Sequence, residues 1–313
     1  MYEQYYGFDG RPFQLTPDHR FFFESSVHCK AASYLLYGLE QGEGFIVITG
    51  DVGAGKTTLI RHLLATVDQR RIVAAEIVTS QLGGDDMLRM AARAFGLPAD
   101  RDKPALVAAI EQFLVGHHRR KRRCLLLVDE AQTLSIAAIE ELRMLSNLHV
   151  GERSPLQCFL IGQPQFRQAL SSPELEQLRQ RVTASYHLGP MRADETANYV
   201  RHRLQQVRWR EDPRLTDDTL AAIHRHSEGV PRRINVLMSR LLLFGALEEL
   251  HDIGAPVVDR VAEELRRETG RPAEAAIASD PLIARLEALE TRCARHEQAF
   301  KGLLQTFSPR SEG

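Results

Sequence analysis

The chain has 313 residues, of which 43% are hydrophobic and 26% are charged, and this composition excludes a largely disordered chain, a collagen-like repeat and a disulfide scaffold. Lys and Arg total 40 against 41 for Asp and Glu, so the net charge is −1 and lacks the basic excess typical of proteins that bind nucleic acid mainly through its phosphates. No apolar run approaches the 18 residues of a membrane span, and the N-terminus lacks a secretory pattern. We therefore expect a soluble, cytoplasmic protein.

The four cysteines lie far apart in the sequence and form no CxxC pair. Cys124 and Cys158 stand in apolar runs, which indicates packing in the core rather than a metal or redox site.

The first half of the chain alternates predicted strands and helices. Residues 1–44 are rich in aromatic residues and turn formers, and the apolar spacing over 27–41 predicts a helix. The strands predicted after it are 45–49, 72–78, 124–128, 157–161 and 182–188, and the helices are 57–67, 85–95, 104–115, 135–148 and 164–180. Since the strands are continuous apolar runs, we expect them to be buried on both faces of a parallel α/β sheet.

After Pro190 the strand signals stop, and helices are predicted over 194–208, 216–227, 232–249 and 256–268. Residues 269–281 have the composition of a linker. Over 282–307 large side chains recur in alternating steps of four and three, as in a heptad seam. This segment predicts either a coiled coil between chains or an amphipathic helix that docks on its own protein.

The most informative segment matches the phosphate-binding pattern GxxxxGK[ST] and consists of Gly50, Asp51, Val52, Gly53, Ala54, Gly55, Lys56, Thr57 and Thr58. Glycines let backbone N–H groups approach a polyphosphate without Cβ clashes, and the helix that follows turns its positive end toward the phosphates. We expect Lys56 to reach the β- and γ-phosphate oxygens of ATP and the Thr57 hydroxyl to bind Mg²⁺.

A second pattern is the apolar run 124–128 that ends in Asp129 and Glu130. Because ligands collect at the carboxyl ends of parallel strands, Asp129 should face the same crevice as Lys56 and hold Mg²⁺ mostly through water. Glu130 is placed to polarise a water in line with the γ-phosphate, which predicts hydrolysis as well as binding.

Three further side chains are candidates for the same chemistry. Gln163 follows the apolar run 159–162, where its amide can sense the γ-phosphate or orient the attacking water. An arginine in the segment 178–182, at the end of the helix that leads into the last strand, is either an arginine finger for a neighbouring subunit or a solvated charge. An arginine at the start of the helix after Pro231, Arg232 or Arg233, can fold back onto the nucleotide and make the helical region a lid.

These patterns together resemble AAA+ ATPases, and more narrowly the ExeA/general secretion pathway protein A group. The chain is most similar to the secretion ATPases encoded at exosortase (XrtA/PEP-CTERM) and exopolysaccharide loci. Besides the two phosphate-site patterns, the likeness rests on the segments 5–8, 12–13, 16–18, 21–23, 42–45, 129–132, 178–182 and 229–235. One departure is Thr133, which stands where the family usually has Asn.

The resemblance implies a P-loop sheet of order 5-1-4-3-2 with a C-terminal helical lid. It implies an AAA+ nucleotide-binding domain over 1–190 with an aromatic N-terminal segment and a lid over 191–268. The likeness covers about 1–268, so the linker over 269–281 and the short helical tail over 282–307 rest on composition and periodicity alone. It also implies ATP and Mg²⁺ as cofactors, Gln163 as sensor 1, Arg181 as the arginine finger and Arg232 as sensor 2.

Three functions remain as alternatives. One is a scaffold or switch that binds ATP and barely hydrolyses it; the intact Lys56, Asp129 and Glu130 argue against a dead site but not against slow hydrolysis. The other two are driven by ATP turnover. In the first, a cytoplasmic ATPase forms ATP-dependent homo-oligomers and energises or regulates an envelope secretion or exopolysaccharide system, reaching the inner membrane through partners. In the second, the chain is a DNA-associated AAA+ ATPase such as a transposition regulator, for which the basic run 117–123 is the only support. Cations at a helix end before a buried strand are the favoured explanation of that run, so nucleic acid is the less favoured partner.

Overall fold

A five-stranded parallel sheet occupies the centre of the computed structural model, which describes residues 2–15, 21–66, 68, 70–78, 83–151 and 153–269. Its strands lie in the order β2-β3-β4-β1-β5, which confirms the predicted order. The strands are β1 (Phe45–Gly50), β2 (Ile72–Val78), β3 (Arg123–Asp129), β4 (Leu156–Gly162) and β5 (Val182–Leu188).

Helices connect and cover these strands. They are α1 (Tyr2–Tyr5), α2 (Ser26–Gln41), α3 (Lys56–Thr66), α4 (Gly84–Ala94), α5 (Lys103–Arg119), α6 (Ile136–Ser146), α7 (Pro164–Leu170), α8 (Glu176–Arg179), α9 (Ala193–Gln205), α10 (Asp217–Ser227), α11 (Pro231–Leu247) and α12 (Ala255–Thr269). Several begin at a side-chain cap: the oxygens of Ser25, Asp102, Ser135 and Thr216 accept hydrogen bonds from backbone N–H groups of the first turns of α2, α5, α6 and α10.

Alternate residues of β1 pack into two separate cores. Phe45 and Val47 belong to a cluster with buried residues of α4 to α8, whereas Ile46 and Ile48 belong to a cluster with α2 and α3. This is the two-sided burial expected of a covered parallel sheet. Cys124 and Cys158 are both buried in the first cluster.

The prediction of two-sided burial is confirmed for the central strands and wrong for the edges. Every residue of β1 and β4 is buried, but β2 and β5 mix buried with exposed positions. An edge strand has a neighbour on one side only, so its outer side chains remain accessible to solvent.

Two predicted elements differ from the structure. The helix predicted over 164–180 is broken into α7, a 3₁₀ turn (Pro173–Leu175) and α8, because Pro173 cannot donate a hydrogen bond within a helix. Strand pairing also continues after Pro190, since the two-residue strands β6 (Arg214–Leu215) and β7 (Asp252–Ile253) pair in parallel.

The N-terminal segment 2–15 packs against the helices that follow the sheet. Arg203 of α9 donates to the carbonyl oxygens of Pro12 and Gln14 at 2.5 and 3.1 Å, and the Ser239 hydroxyl of α11 donates to that of Phe13 at 3.0 Å. Tyr6 donates to the carbonyl oxygen of Leu250 at 2.9 Å. The aromatic opening of the chain is therefore a fixed part of the helical region.

Residues 1–261 form one compact unit, and a second begins at Ala262. Of the second unit the structure describes the C-terminal end of α12, up to Thr269. The predicted linker beyond that residue, the predicted helix over 282–307 and the segment 16–18 lie outside the described residues. No described helix combines the length and the apolarity needed to span a membrane.

Candidate active site

The residues of the predicted phosphate-binding pattern form the loop between β1 and α3, which we call the phosphate loop. Gly53 and Gly55 have φ of +85° and +95°, a region that residues with a Cβ rarely adopt. A Cβ on Gly53 would overlap the Cβ of Arg232, and one on Gly55 would lie 2.8 Å from the Nε2 of His28. Both glycines are therefore required by conformation and by close neighbours.

Lys56 is the first residue of α3 and is buried. Its Nζ donates to the carbonyl oxygens of Gly50 and Asp51 at 2.7 and 2.9 Å. Burial lowers the pKa of this ammonium, while the carboxylates of Glu130, Asp129 and Asp51 oppose that shift. A cation is thus held beneath the glycine-rich turn, with acidic groups around it.

Thr57 and Asp129 lie together beside this lysine. The Thr57 hydroxyl donates to Oδ2 of Asp129 at 2.7 Å, and the Glu130 amide donates to Oδ1 at 2.9 Å. A hydroxyl and a carboxylate are hard oxygen donors of the kind that Mg²⁺ prefers. Among the described residues, no group of three or more His, Cys, Asp and Glu side chains could hold a metal ion. A magnesium ion here would therefore depend on phosphate oxygens and water for its remaining ligands.

Glu130 stands at the centre of an amide network at the carboxyl ends of β3 and β4. Its Oε2 accepts hydrogen bonds from the side-chain amides of Gln132 and Gln163 at 2.5 and 3.1 Å, and the Gln132 Oε1 accepts from the Gln163 backbone N–H at 2.9 Å. Glu130 has φ +56° and ψ +38°, a conformation that costs energy for residues other than glycine. The Thr133 hydroxyl donates to the Glu130 carbonyl oxygen at 2.9 Å and so closes this turn.

His28 of α2 supports the phosphate loop from behind. Its Nε2 lies 3.2 Å from the Ala54 carbonyl oxygen, and its Nδ1 lies 2.6 Å from the Ser25 hydroxyl. Because a carbonyl only accepts, Nε2 must carry the proton and Nδ1 must accept from Ser25. Burial lowers the pKa of His28, opposed by the Ala54 carbonyl and Glu195, a direction that favours the neutral ring.

The start of α11 meets the phosphate loop. The Arg232 backbone N–H donates to the Gly53 carbonyl oxygen at 3.2 Å, while Arg233 turns away to pair with Glu228 at 2.6 Å. Of the two arginines named by the sequence, Arg232 is the one beside the loop.

A cavity of about 330 Å³ lies between the phosphate loop and the helical region. Its walls include Lys56, Thr57, Glu130 and Arg232 on the polar side, and Phe21, Phe22, Phe23 and Tyr199 on the aromatic side. Tyr199 donates to Oδ1 of Asn235 at 2.8 Å, and the Arg203 guanidinium lies 4.6 Å from the centre of the Phe21 ring. The cavity thus joins charged groups suited to phosphates with flat apolar rings.

Arg181 lies far from this cavity. It precedes β5 at the amino end of the sheet, whereas Gly50 pairs with Leu188 at the opposite end. Seven strand residues at about 3.3 Å each separate the two ends by roughly 23 Å. Among the described residues, no ion pair or side-chain hydrogen bond holds Arg181, which is partly exposed.

Six of the predicted residues lie close together in the structure: Lys56, Thr57, Asp129, Glu130, Gln163 and Arg232. Arg181 lies apart from them. Sequence reasoning missed the contributions of His28, Gln132, Tyr199 and Arg203. Gln132 carried a signal, since it directly follows the acidic strand end. The other three act through contacts between residues distant in the chain, for which a single sequence offers no pattern.

The sequence model of the family described as AAA domain matches residues 39–170, which hold the phosphate loop, the acidic strand end and Gln163. The segment 2–38 and the helices after β5 lie outside that match.

The chain is also similar to the General secretion pathway protein A of Aeromonas hydrophila, with 39% identity over 255 residues. The aligned part covers 81% of this chain and 46% of that protein, so the chain spans about half the length of this relative.

Among solved structures, the chain resembles Cdc6p of Pyrobaculum aerophilum, with a TM-score of 0.64, 13% identity and coverage of 81% of this chain and 70% of that one. It also resembles the ADP form of the Aeropyrum pernix ORC2 protein, with a TM-score of 0.62, 16% identity and coverage of 85% and 75%. At these identities the likeness establishes a shared fold.

Proposed function

We propose that the chain binds ATP with Mg²⁺ and hydrolyses it to ADP and phosphate. The observation that carries the proposal is that Lys56, Thr57 and Glu130 line one cavity above the glycine-rich turn, with Asp129 hydrogen-bonded to the Thr57 hydroxyl. The aromatic wall of that cavity supplies rings against which a purine base can pack.

Each polar group then has a distinct task. Backbone N–H groups of residues 51–56 wrap the phosphates, and Lys56 exchanges its two carbonyl partners for β- and γ-phosphate oxygens. Glu130 accepts a proton from the attacking water, and the amides of Gln132 and Gln163 fix the position of its carboxylate. Gln163 donates to the carboxylate of this base, and through that contact it acts as a sensor of the γ-phosphate.

Thr57 Oγ1 and the Asp129 carboxylate are the groups that would hold Mg²⁺. When bound, the ion would neutralise charge on the phosphate oxygens. Asp129 also accepts from the Glu130 amide, so the metal ligand and the general base share one turn of backbone.

Titration with a fluorescent ATP analogue and measurement of phosphate release test this assignment. Lys56→Ala should abolish binding, whereas the matched control Lys30→Ala, which removes an exposed cation of α2, should leave binding intact. Glu130→Gln should keep binding and stop turnover. Unchanged affinity in Lys56→Ala would refute the loop assignment, and full phosphate release by Glu130→Gln would remove Glu130 from the catalytic step.

We also propose that Arg181 completes the site of a neighbouring subunit in a homo-oligomer. The separation of roughly 23 Å from its own phosphate loop exceeds the reach of an arginine side chain, so only a second copy can bring it to a γ-phosphate. Specific activity should therefore rise with protein concentration. Mixing inactive Arg181→Ala with inactive Lys56→Ala should restore activity, because Lys56 of one subunit then meets Arg181 of another. No regain would contradict the trans arrangement.

We propose that this activity energises or regulates an envelope secretion system, and more specifically an exosortase-associated exopolysaccharide system, from the cytoplasmic side of the inner membrane. The similarity to General secretion pathway protein A supports the broader statement. Affinity capture with the Glu130→Gln chain and ATP from the native cell tests it. Envelope assembly proteins retained with ATP and released with ADP would support the role, and retention of DNA-processing proteins instead would contradict it.

A further inference from the structure

A second charged cavity lies at the amino ends of the parallel strands, whereas the phosphate loop lies at their carboxyl ends. This cavity measures about 970 Å³. We call it the amino-edge cleft and define it by its cationic lining: Arg71, His118, Lys121, Arg122, Arg123 and Arg153. The nucleotide proposal uses none of these residues.

The parallel topology explains why these cations meet. Arg71 directly precedes β2, Arg122 directly precedes β3, and Arg153 lies in the loop that leads into β4. Because β2, β3 and β4 are neighbours and parallel, the residues that precede them converge at the amino ends of the strands. The Arg123 backbone N–H donates to the Arg71 carbonyl oxygen at 2.8 Å, which joins two of these entry points directly.

The positive charge of the cleft is only partly neutralised. Arg71 makes a loose pair with Asp68 at 3.6 Å, and Arg123 donates to the Leu39 carbonyl oxygen at 2.5 Å. Lys121, Arg122 and Arg153 have no ion pair with any residue in the described ranges. The Nε of Arg122 is buried and lacks a hydrogen-bond partner among those residues, which is unusual for a buried N–H group.

The neighbouring His117 lies in the same positive electrostatic field. The pKa of His117 is lowered by burial and by the charges of Arg122 and Arg120. An anion that accepts from Arg122 would satisfy its buried N–H and neutralise this field. Guanidinium groups suit phosphate in particular, because their forked N–H groups bind two oxygens at once.

The shape and the rim of the cleft favour a small ligand over a nucleic acid. The cations line a concavity, and the carboxylates of Glu40 and Glu43 lie on its wall. These carboxylates would repel an extended phosphate backbone, but they can accept hydrogen bonds from hydroxyl or amino groups of a compact molecule.

We propose that the amino-edge cleft binds the phosphate groups of a small phosphorylated molecule, at a site separate from the nucleotide cavity. The ligand is either a soluble phosphate ester or the headgroup of an anionic lipid. Arg122 and Arg153 are the side chains that contact the phosphates, and Arg71 and Lys121 add positive charge at the mouth.

Calorimetric titration of inorganic pyrophosphate into the full chain tests this site, in a Lys56→Ala background that removes the competing phosphate loop. We expect the affinity for pyrophosphate to fall at least tenfold in the double variant Arg122→Met/Arg153→Ala. The same loss is expected in the single variant Arg153→Glu, which changes an exposed residue. The control Arg167→Ala removes an exposed cation of α7, the helix that follows the carboxyl end of β4, and should leave the affinity for pyrophosphate unchanged. Thermal unfolding of each variant verifies that it folds.

A second arm identifies the source of the phosphate. Co-sedimentation with phosphatidylglycerol vesicles that is lost in Arg153→Glu assigns a lipid headgroup, while pyrophosphate binding without vesicle binding assigns a soluble ester. Absence of pyrophosphate binding, equal binding in wild type and Arg153→Glu, or arginine-dependent retention of duplex DNA without pyrophosphate binding would each overturn the proposal. ATP-analogue binding by the wild type is measured separately, so the nucleotide site stands or falls independently.

Discussion

Replacing Gly53 by alanine separates the role of the phosphate loop from its effect on stability. The residue has φ +85°, and an added Cβ would overlap the Cβ of Arg232 at the start of α11. Gly96 is the matched control, because it has φ +75° and nothing within 4 Å of an added Cβ. Both substitutions carry the backbone cost of a left-handed conformation, about 1–2 kcal/mol. Only Gly53→Ala must also displace the loop or the first turn of α11.

We therefore expect both variants to melt at lower temperature, by roughly 2–8 °C, since 1 kcal/mol lowers the Tm of a domain of this size by about 2–4 °C. Affinity for the ATP analogue should fall in Gly53→Ala by about tenfold or more, equivalent to about 1.4 kcal/mol, and stay unchanged in Gly96→Ala. Scanning fluorimetry and analogue titration measure the two quantities. Wild-type affinity in Gly53→Ala, or an equal loss in Gly96→Ala, would refute the reasoning.

Three further predictions concern His28, Glu195 and the two buried cysteines. His28→Ala removes the donor to the Ala54 carbonyl and should weaken binding of the ATP analogue. Binding should recover in part in His28→Gln, whose amide can donate. Equal affinity in wild type and both variants would show that His28 does not support the phosphate loop. Burial by itself would raise the pKa of Glu195, but hydrogen bonds from Ser26 and Arg192 bring it below its ordinary value. The stability it contributes is thus present above about pH 4.3 and lost as the pH falls through the folded pKa. Urea unfolding should show Glu195→Gln less stable than wild type at pH 7, with the difference shrinking in acid. Burial raises the pKa of the Cys124 and Cys158 thiols to about 12, so mass spectrometry should find both unlabelled by iodoacetamide at pH 8 until the chain is unfolded.

The elements of the sheet and the placement of the phosphate-loop residues between β1 and α3 were predictable from sequence because their signals are local. A short apolar run, a glycine-rich turn and a helix define β1, the loop and α3 within about twenty residues. The parallel order came from the family resemblance, and the structure confirms it. The break at Pro173 was also readable, since a proline that follows Ser171 and Ser172 favours a turn over a continuous helix.

What sequence reasoning could not supply are contacts between distant segments. Arg203 lies on α9, yet its carbonyl partners are in the first fifteen residues. The strands β6 and β7 are two residues each, too short to show any periodicity. Burial of this kind depends on tertiary packing, which overrides local propensity. The edge strands were misjudged for the same reason, because their apolar composition does not reveal which of them lacks a second neighbour.

The contacts around α2 show how the phosphate loop and the helical region act on one another. Glu195 of α9 accepts hydrogen bonds from the N–H groups of Ser26 and Arg192, at 2.5 and 3.1 Å, so one carboxylate satisfies the starts of two helices. Three residues into the first of these helices, His28 contacts the Ala54 carbonyl in the loop. A displacement of Ala54 must therefore strain His28 or move α2, and a movement of α2 must break a hydrogen bond to Glu195. Because these hydrogen bonds are buried or half-buried, water cannot easily replace a lost one. The first turn of α2 is thus the rigid connection through which the loop and α9 hold each other in place.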